Sequence, residues 1–95
     1  MVLEVMQFRL LADTAIESFL AADRRLQTDF AYQQPGLLRR TAARGDSGEW
    51  VVIDHWRTAA EADACAERWE RDPVAQTFMD LVDRSSVRVQ RYTSL

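Results

Sequence analysis

The sequence predicts an α+β fold, a four-stranded antiparallel sheet with its helices packed on one face. Two observations predict it. The hydrophobic pattern switches between period two and helical spacing in the order β-α-β-β-α-(α)-β. The segment Trp50–Trp56, WVVIDHW, opens with four apolar residues in a row. A strand with one wet face alternates, whereas this run asks for cover on both faces.

The first strand spans Met1 to Leu11, with Met6, Phe8 and Leu10 on one face and Val5, Gln7 and Arg9 on the other. Thr14-x-x-Glu17 has the form of a capping box and predicts a helix to about Tyr32, with Ile16, Phe19, Leu20, Leu26 and Phe30 at helical spacing. Pro35-Gly36 breaks the chain ahead of a second strand, LLRRTAA, and Gly45-Asp46-Ser47-Gly48 supplies turn residues before WVVIDHW. Thr58-x-x-Glu61 is a second capping box, opening a helix to about Arg71 that buries Ala62, Cys65, Ala66 and Trp69. Asp72 caps a short helix with Pro73 at its first position, where the missing N–H costs nothing; its stripe is Val74, Phe78, Leu81 and Val82. Ser85-Ser86 reads as a loop and VRVQRY as the last strand. This order is the ferredoxin-like βαββαβ arrangement, one domain over residues 1–95 with no linker or repeat. Its helices leave one sheet face bare, and a two-fold copy of the same sheet is the commonest cover.

Composition excludes whole classes of chemistry. The net charge of −3 disfavours nucleic acid, since phosphate binding needs a basic face. All twelve basic residues are Arg; with no Lys, Schiff-base chemistry, pyridoxal phosphate anchoring and a P-loop are ruled out. One His, one Cys and no Asn cannot build a structural zinc site. A lone Cys fits a reducing compartment, no signal peptide is evident, and no apolar run approaches the ~20 residues of a membrane helix. The expectation is a cytoplasmic protein with no metal, haem or other cofactor.

The βαββαβ order, a helix running into Pro35-Gly36, a third strand ending in Asp54-His55-Trp56 and a capped helix after it resemble the antibiotic biosynthesis monooxygenase-like domains of the dimeric α/β-barrel superfamily. The resemblance covers nearly the whole chain. It implies a homodimer closing an eight-stranded barrel, with a pocket between each sheet and its own helices. In several members that pocket takes polyketide-like aromatics, and some oxidise them with oxygen and neither metal nor flavin. Haem-degrading members of the superfamily use an Asn, a Trp and a His. Trp69 looks like their Trp, but the His position falls near Met79 and the chain has no Asn.

Asp23 is the least expected residue, falling at the centre of the stripe made by Ile16, Phe19, Leu26 and Phe30. A carboxylate there has a partner, lines a wet pocket or has a raised pKa, unless the helix rotates or overhangs and leaves it at the rim near Arg24 or Arg91. Pairing Arg44 with Glu49 across the turn would set Arg39 opposite Asp54 and Leu37 opposite Trp56. Asp54 would then share a face with Trp50, Val52 and Trp56, either as a base beside a phenolic ligand or as one half of a cross-strand ion pair with Arg39. His55 falls on the other face with Arg40, as a general base or as a barrel-interior residue bonded to its symmetry mate or to Arg40. Trp56, Trp69 and Phe19 are candidate walls for a planar ligand, or simply core. Cys65 reads as a small hydrophobe.

Three functions fit. One is a cofactor-independent monooxygenase acting on a small aromatic or polyketide-like molecule, with Asp23 or Asp54 as base, Arg39 as anion stabiliser, and Trp56 and Trp69 as walls. The second is a non-catalytic small-ligand-binding barrel. The third is a structural dimer with its cavity packed shut.

Overall fold

A computed structural model describes all residues from Met1 to Leu95. In chain order the elements are β1 (Val2–Leu10), α1 (Ile16–Asp29), a 3₁₀ turn (Ala31–Gln33), β2 (Leu37–Arg44), β3 (Trp50–Trp56), α2 (Ala59–Trp69), α3 (Pro73–Met79) and β4 (Val82–Thr93). The strands form one antiparallel sheet in the order β2-β3-β1-β4. The three helices cover one face, as the predicted ferredoxin-like order requires. No helix is long and apolar enough to cross a membrane.

The core is aromatic. Phe8 from β1, Phe19 from α1 and Phe78 from α3 stack pairwise with ring centroids 5.4–5.8 Å apart, and Trp50 of β3 closes on Phe19 at 4.7 Å. Leu26, Trp56, Val82 and Ala75 complete it, each at most 2 % exposed. Burying a side chain of Phe or Leu size contributes about 1.5–3 kcal/mol, so this cluster fixes α1 and α3 on the sheet.

Capping was legible at two helices of three. Thr58 Oγ1 accepts from Glu61 N, and Asp72 Oδ1 accepts from Val74 N and Ala75 N. At α1 the expected box at Thr14 does not form: the N-cap is Ala15 with no side-chain cap. Thr14 instead donates its hydroxyl to Leu81 O at 3.4 Å, beside the Leu11 N–H bond to the same carbonyl at 3.0 Å. The long-range corner between the β1–α1 loop and the end of α3 has taken the hydroxyl that a local motif would use. The helix also stops at Asp29, three residues before Tyr32, because the backbone breaks at Phe30 into the 3₁₀ turn. At Gly36 (φ +87°) the chain turns into β2; a Cβ there would collide with the Glu61 carboxylate, and only glycine adopts that φ without cost.

The hairpin register differs from the expected one by a bulge. Leu37 does face Trp56, but the register shifts between Leu37 and Arg39, so Arg39 faces His55 and Arg40 faces Asp54. A one-residue slip exchanges faces. Arg40 therefore points to the helices, where Asp23 of α1 receives it at 2.6 Å and Gln27 at 3.2 Å. The half-buried Asp23 at the centre of the α1 stripe has its partner. β4 also begins earlier than VRVQRY: the sequence Ser85-Ser86 lies in a bulge within the strand, between Asp83, which faces Arg9, and Arg88, which faces Gln7. The Arg9 N–H that the bulge would strand is satisfied by Ser86 Oγ at 2.8 Å.

The face away from the helices carries Leu3 and Val5 of β1 beside Val51 and Ile53 of β3, flanked by Arg39, His55, Gln90 and Tyr92. Each of the four aliphatic residues is only half-buried.

The Arg40 side chain is 2 % exposed and that of Asp23 15 %, so removing one partner strands a charge in a dry place. Asp23→Leu and Arg40→Met are each expected to destabilise by about 3 kcal/mol, and the double variant to recover most of that loss. Urea unfolding of the three variants measures this; single variants within about 0.5 kcal/mol of the parent would show that the pair is not desolvated.

Candidate functional site

The helix-facing side of the sheet carries one charged residue from every strand at a single level. Arg40 of β2 faces Asp54 of β3, Asp54 faces Glu4 of β1, and Glu4 faces Arg91 of β4. Along the sheet the signs run plus, minus, minus, plus. Each arginine is taken up by an acid on a helix: Arg40 by Asp23 of α1 at 2.6 Å, Arg91 by Asp63 of α2 at 2.8 Å. Arg91 also donates from Nε and Nη2 to Glu4 Oε2, at 3.3 and 2.9 Å. Asp54 is left over: its Oδ1 is buried and accepts no hydrogen bond.

Glu4, Asp54 and Arg40 of this row form the polar floor of a cavity of about 320 Å³ between the sheet, α2, α3 and the end of α1. The volume lies at the lower end of small-molecule pockets, about 300–1,000 Å³. Apart from Glu4, Arg40, Asp54 and Glu70 its wall is hydrophobic, including Met6, Val52, Phe78 and Met79. Trp56 contributes a fully buried ring whose Nε1–H has no acceptor. Trp69 of α2 stands edge-on to Phe30 and Phe78 and presents its free side to the cavity. Val87 and Val89 of the edge strand line the cavity opposite α2, and Val89 is 56 % exposed, which marks the open side.

The electrostatics follow from that geometry. Burial, the largest cause, pushes the Asp54 carboxyl up to about 6; Arg40 pulls it down, and Glu4 and Asp23 push it further up. Two guanidinium groups answer three other carboxylates before Asp54 is counted, so one more negative charge is resisted. Burial likewise pushes the Cys65 thiol up to about 12, with Asp54 adding to it, so Cys65 lines the cavity as an inert thiol. No group of three His, Cys, Asp or Glu side chains converges on a metal-sized point.

Of the residues singled out from sequence, Asp54, Trp56 and Trp69 meet in this cavity. Asp23 does not line it; it stands behind Arg40 as a structural counter-ion. His55 and Arg39 face each other on the opposite side of the sheet, so neither reaches the cavity. Phe19 is sealed in the aromatic core at 1 % exposure, away from the cavity wall. The place expected for Arg39 is held by Arg40, because the bulge at Leu38 exchanges the two. Glu4 was missed although its signal was present: it shares the parity of Met6, Phe8 and Leu10, an acid on an apolar stripe just as Asp23 is.

The sequence matches no family model and no curated protein. Solved structures match closely in shape. SnoaB from Streptomyces nogalater, a cofactor-independent oxygenase, superposes with a TM-score of 0.80 at 21% identity, over 99% of this chain and 92% of that one. An antibiotic biosynthesis monooxygenase gives 0.78 at 18% identity, over 100% and 99%. A conserved protein from Methanosarcina mazei gives 0.76 at 9% identity, over 99% and 92%. The chain has the ferredoxin-like fold of the antibiotic biosynthesis monooxygenase-like proteins.

Proposed function

We propose that the protein is a cofactor-independent monooxygenase acting on a planar phenolic or polyketide-like aromatic bound in the cavity, with Asp54 as the base. The observation that carries this reading is a carboxyl, raised to about 6 and with one oxygen lacking a hydrogen-bond partner, at a cavity whose wall is mostly hydrophobic. A base with that proton affinity suits work near neutral pH. The fold-level likeness to SnoaB, named a cofactor-independent oxygenase, adds support by analogy only.

The chemistry needs little from the protein. Asp54 takes a proton from an acidic C–H or enol O–H of the aromatic, and the electron pair stays on the ligand as a delocalised anion. That anion reduces molecular oxygen and forms a C–O bond, and the peroxide anion takes the proton back from Asp54. The hydroperoxide then loses its remaining C–H proton together with hydroxide, as water, leaving a carbonyl where a methylene stood. Arg40 supplies positive charge beside the anion, in the role expected of Arg39. The free Trp56 N–H donates to a ligand oxygen, Trp69 forms a wall, and the apolar lining excludes water. Asp23 and His55, the other candidate bases, have no access to a ligand placed there.

Assembly belongs to the same proposal. Leu3, Val5, Val51 and Ile53 leave an apolar strip at the centre of the free sheet face, and a second copy of the sheet covers it by two-fold symmetry. Light scattering at micromolar concentration should return twice the 10.9 kDa chain mass. A monomer mass there would remove the barrel.

Catalysis is read with an oxygen electrode, using an anthrone in chelator-treated buffer. The parent should consume oxygen with a rate that rises as pH passes about 6, following ionisation of Asp54. Asp54→Asn should lower the rate by about 10²-fold or more. Anthrone binding without any oxygen uptake would instead identify a ligand-binding barrel.

Stability carries the same signature without a substrate. Folded Asp54 keeps its proton up to about pH 6, whereas the ordinary carboxyl value is 3.8. The stability this proton affinity confers is complete below about pH 4 and is lost as pH rises to about 6 and beyond. Asp54→Asn, which cannot ionise, should therefore exceed the parent by about 1–3 kcal/mol at pH 7.5 and equal it at pH 4. Urea unfolding at the two pH values checks this, and an equal difference at both would remove the buried ionising carboxyl.

A further inference from the structure

We propose that Glu4 is a positioning residue of this site: its carboxylate, clamped by Arg91, sets a fixed negative charge beside Asp54 and so strengthens Asp54 as a base. The inference rests on the reading of Asp54 as the base and goes beyond it by assigning what sets its strength.

The placement carries it. Glu4 and Asp54 are direct partners across β1 and β3, on the same face, and both line the cavity. Side chains so paired have Cβ atoms about 4.5–5.5 Å apart, and two like charges at that distance disfavour each other. What differs is their company. Glu4 Oε2 receives two N–H groups of Arg91, and Arg91 is held in turn by Asp63 of α2, so the Glu4 charge is anchored from two elements. Asp54 has no bonded cation, because Arg40 spends its N–H groups on Asp23 and Gln27. The remaining groups around Asp54 are the neutral Cys65 thiol on α2 and Glu70 at the rim of the same helix; α3 contributes only apolar residues. When two carboxyls are this close and one is clamped, the unclamped one carries the acid–base work. The direction agrees with the cause found for Asp54, to which Glu4 adds after burial.

Carboxyl ¹³C NMR titration of the ligand-free protein tests it. In the parent, Asp54 Cγ should titrate near pH 6. Glu4→Gln should lower the Asp54 midpoint by about 0.5 unit or more, and Glu4→Asp should hold it near the parent value. A midpoint unmoved in folded Glu4→Gln, or one moved as far by Glu4→Asp as by Glu4→Gln, overturns the proposal. A merely structural role for Glu4 would change the melting temperature without moving the Asp54 midpoint. Because no ligand is present, the outcome is separate from the oxygenase test. Loss of oxygen chemistry alone would leave this charge coupling standing, and loss of the coupling alone would leave Asp54 as base.

Discussion

The structure depends on how it accommodates ionic groups on the buried side of its sheet. Four charges lie in one row across four strands, between an aromatic core at one end and a cavity at the other. Leaving such groups unpaired in a dry layer is costly, and each arginine is accordingly matched by a helix acid, Asp23 on α1 and Asp63 on α2. These pairs also fix where the helices sit. α1 is held by the aromatic core and by a desolvated bond to Arg40, and its position is tightly determined. α2 meets the sheet edge through the more exposed Arg91–Asp63 pair, whose contribution is small in water, and is seated by Ala62 and Cys65, both buried in the core. The cavity lies between the sheet and these helices, with Glu4, Asp54 and Arg40 on its polar side.

That asymmetry connects packing to chemistry. Because Arg40 and Arg91 are both committed to other acids, the one carboxyl facing the interior without a hydrogen bond at Oδ1 is Asp54. Its raised proton affinity comes first from burial; Arg40 opposes it, and the Glu4 and Asp23 carboxylates add to it. The row is unequally satisfied: Arg40, Glu4 and Arg91 are each held by an ion pair, and Asp54 alone is not. The Trp56 N–H, also without a partner, lies on the same strand two residues on.

How far the site was legible follows the range of the interactions that make it. Trp56 and Trp69 were found because aromatic residues on an inward stripe are visible in one sequence, and Asp54 because it alternates with Trp50, Val52 and Trp56. Asp23 was correctly seen as anomalous, but its partner was not identifiable, since Arg24, Arg39, Arg40 and Arg91 all lie within reach of some plausible packing. Glu4 carried the same anomaly in β1. Arg39 and Arg40 are adjacent arginines, and composition gives no means of choosing between them.

The sequence by itself determined the element order, the ferredoxin-like topology, two of three helix caps and the faces of β1 and β3. These rest on local chemistry: side-chain period, turn residues, and Ser, Thr or Asp hydroxyls and carboxylates within four residues of the N–H groups they satisfy. Only the tertiary structure decided what depends on contact between distant segments. The bulge at Leu38 turns Arg40 inward and Arg39 outward, the corner at Leu81 takes the Thr14 hydroxyl from its helix, and Ser86 fills a bulge opposite Arg9. Each is a choice between local alternatives of similar energy, and a partner many residues away settled it. The cavity is of the same kind, since its wall is drawn from all four strands and all three helices, and no single segment encodes it.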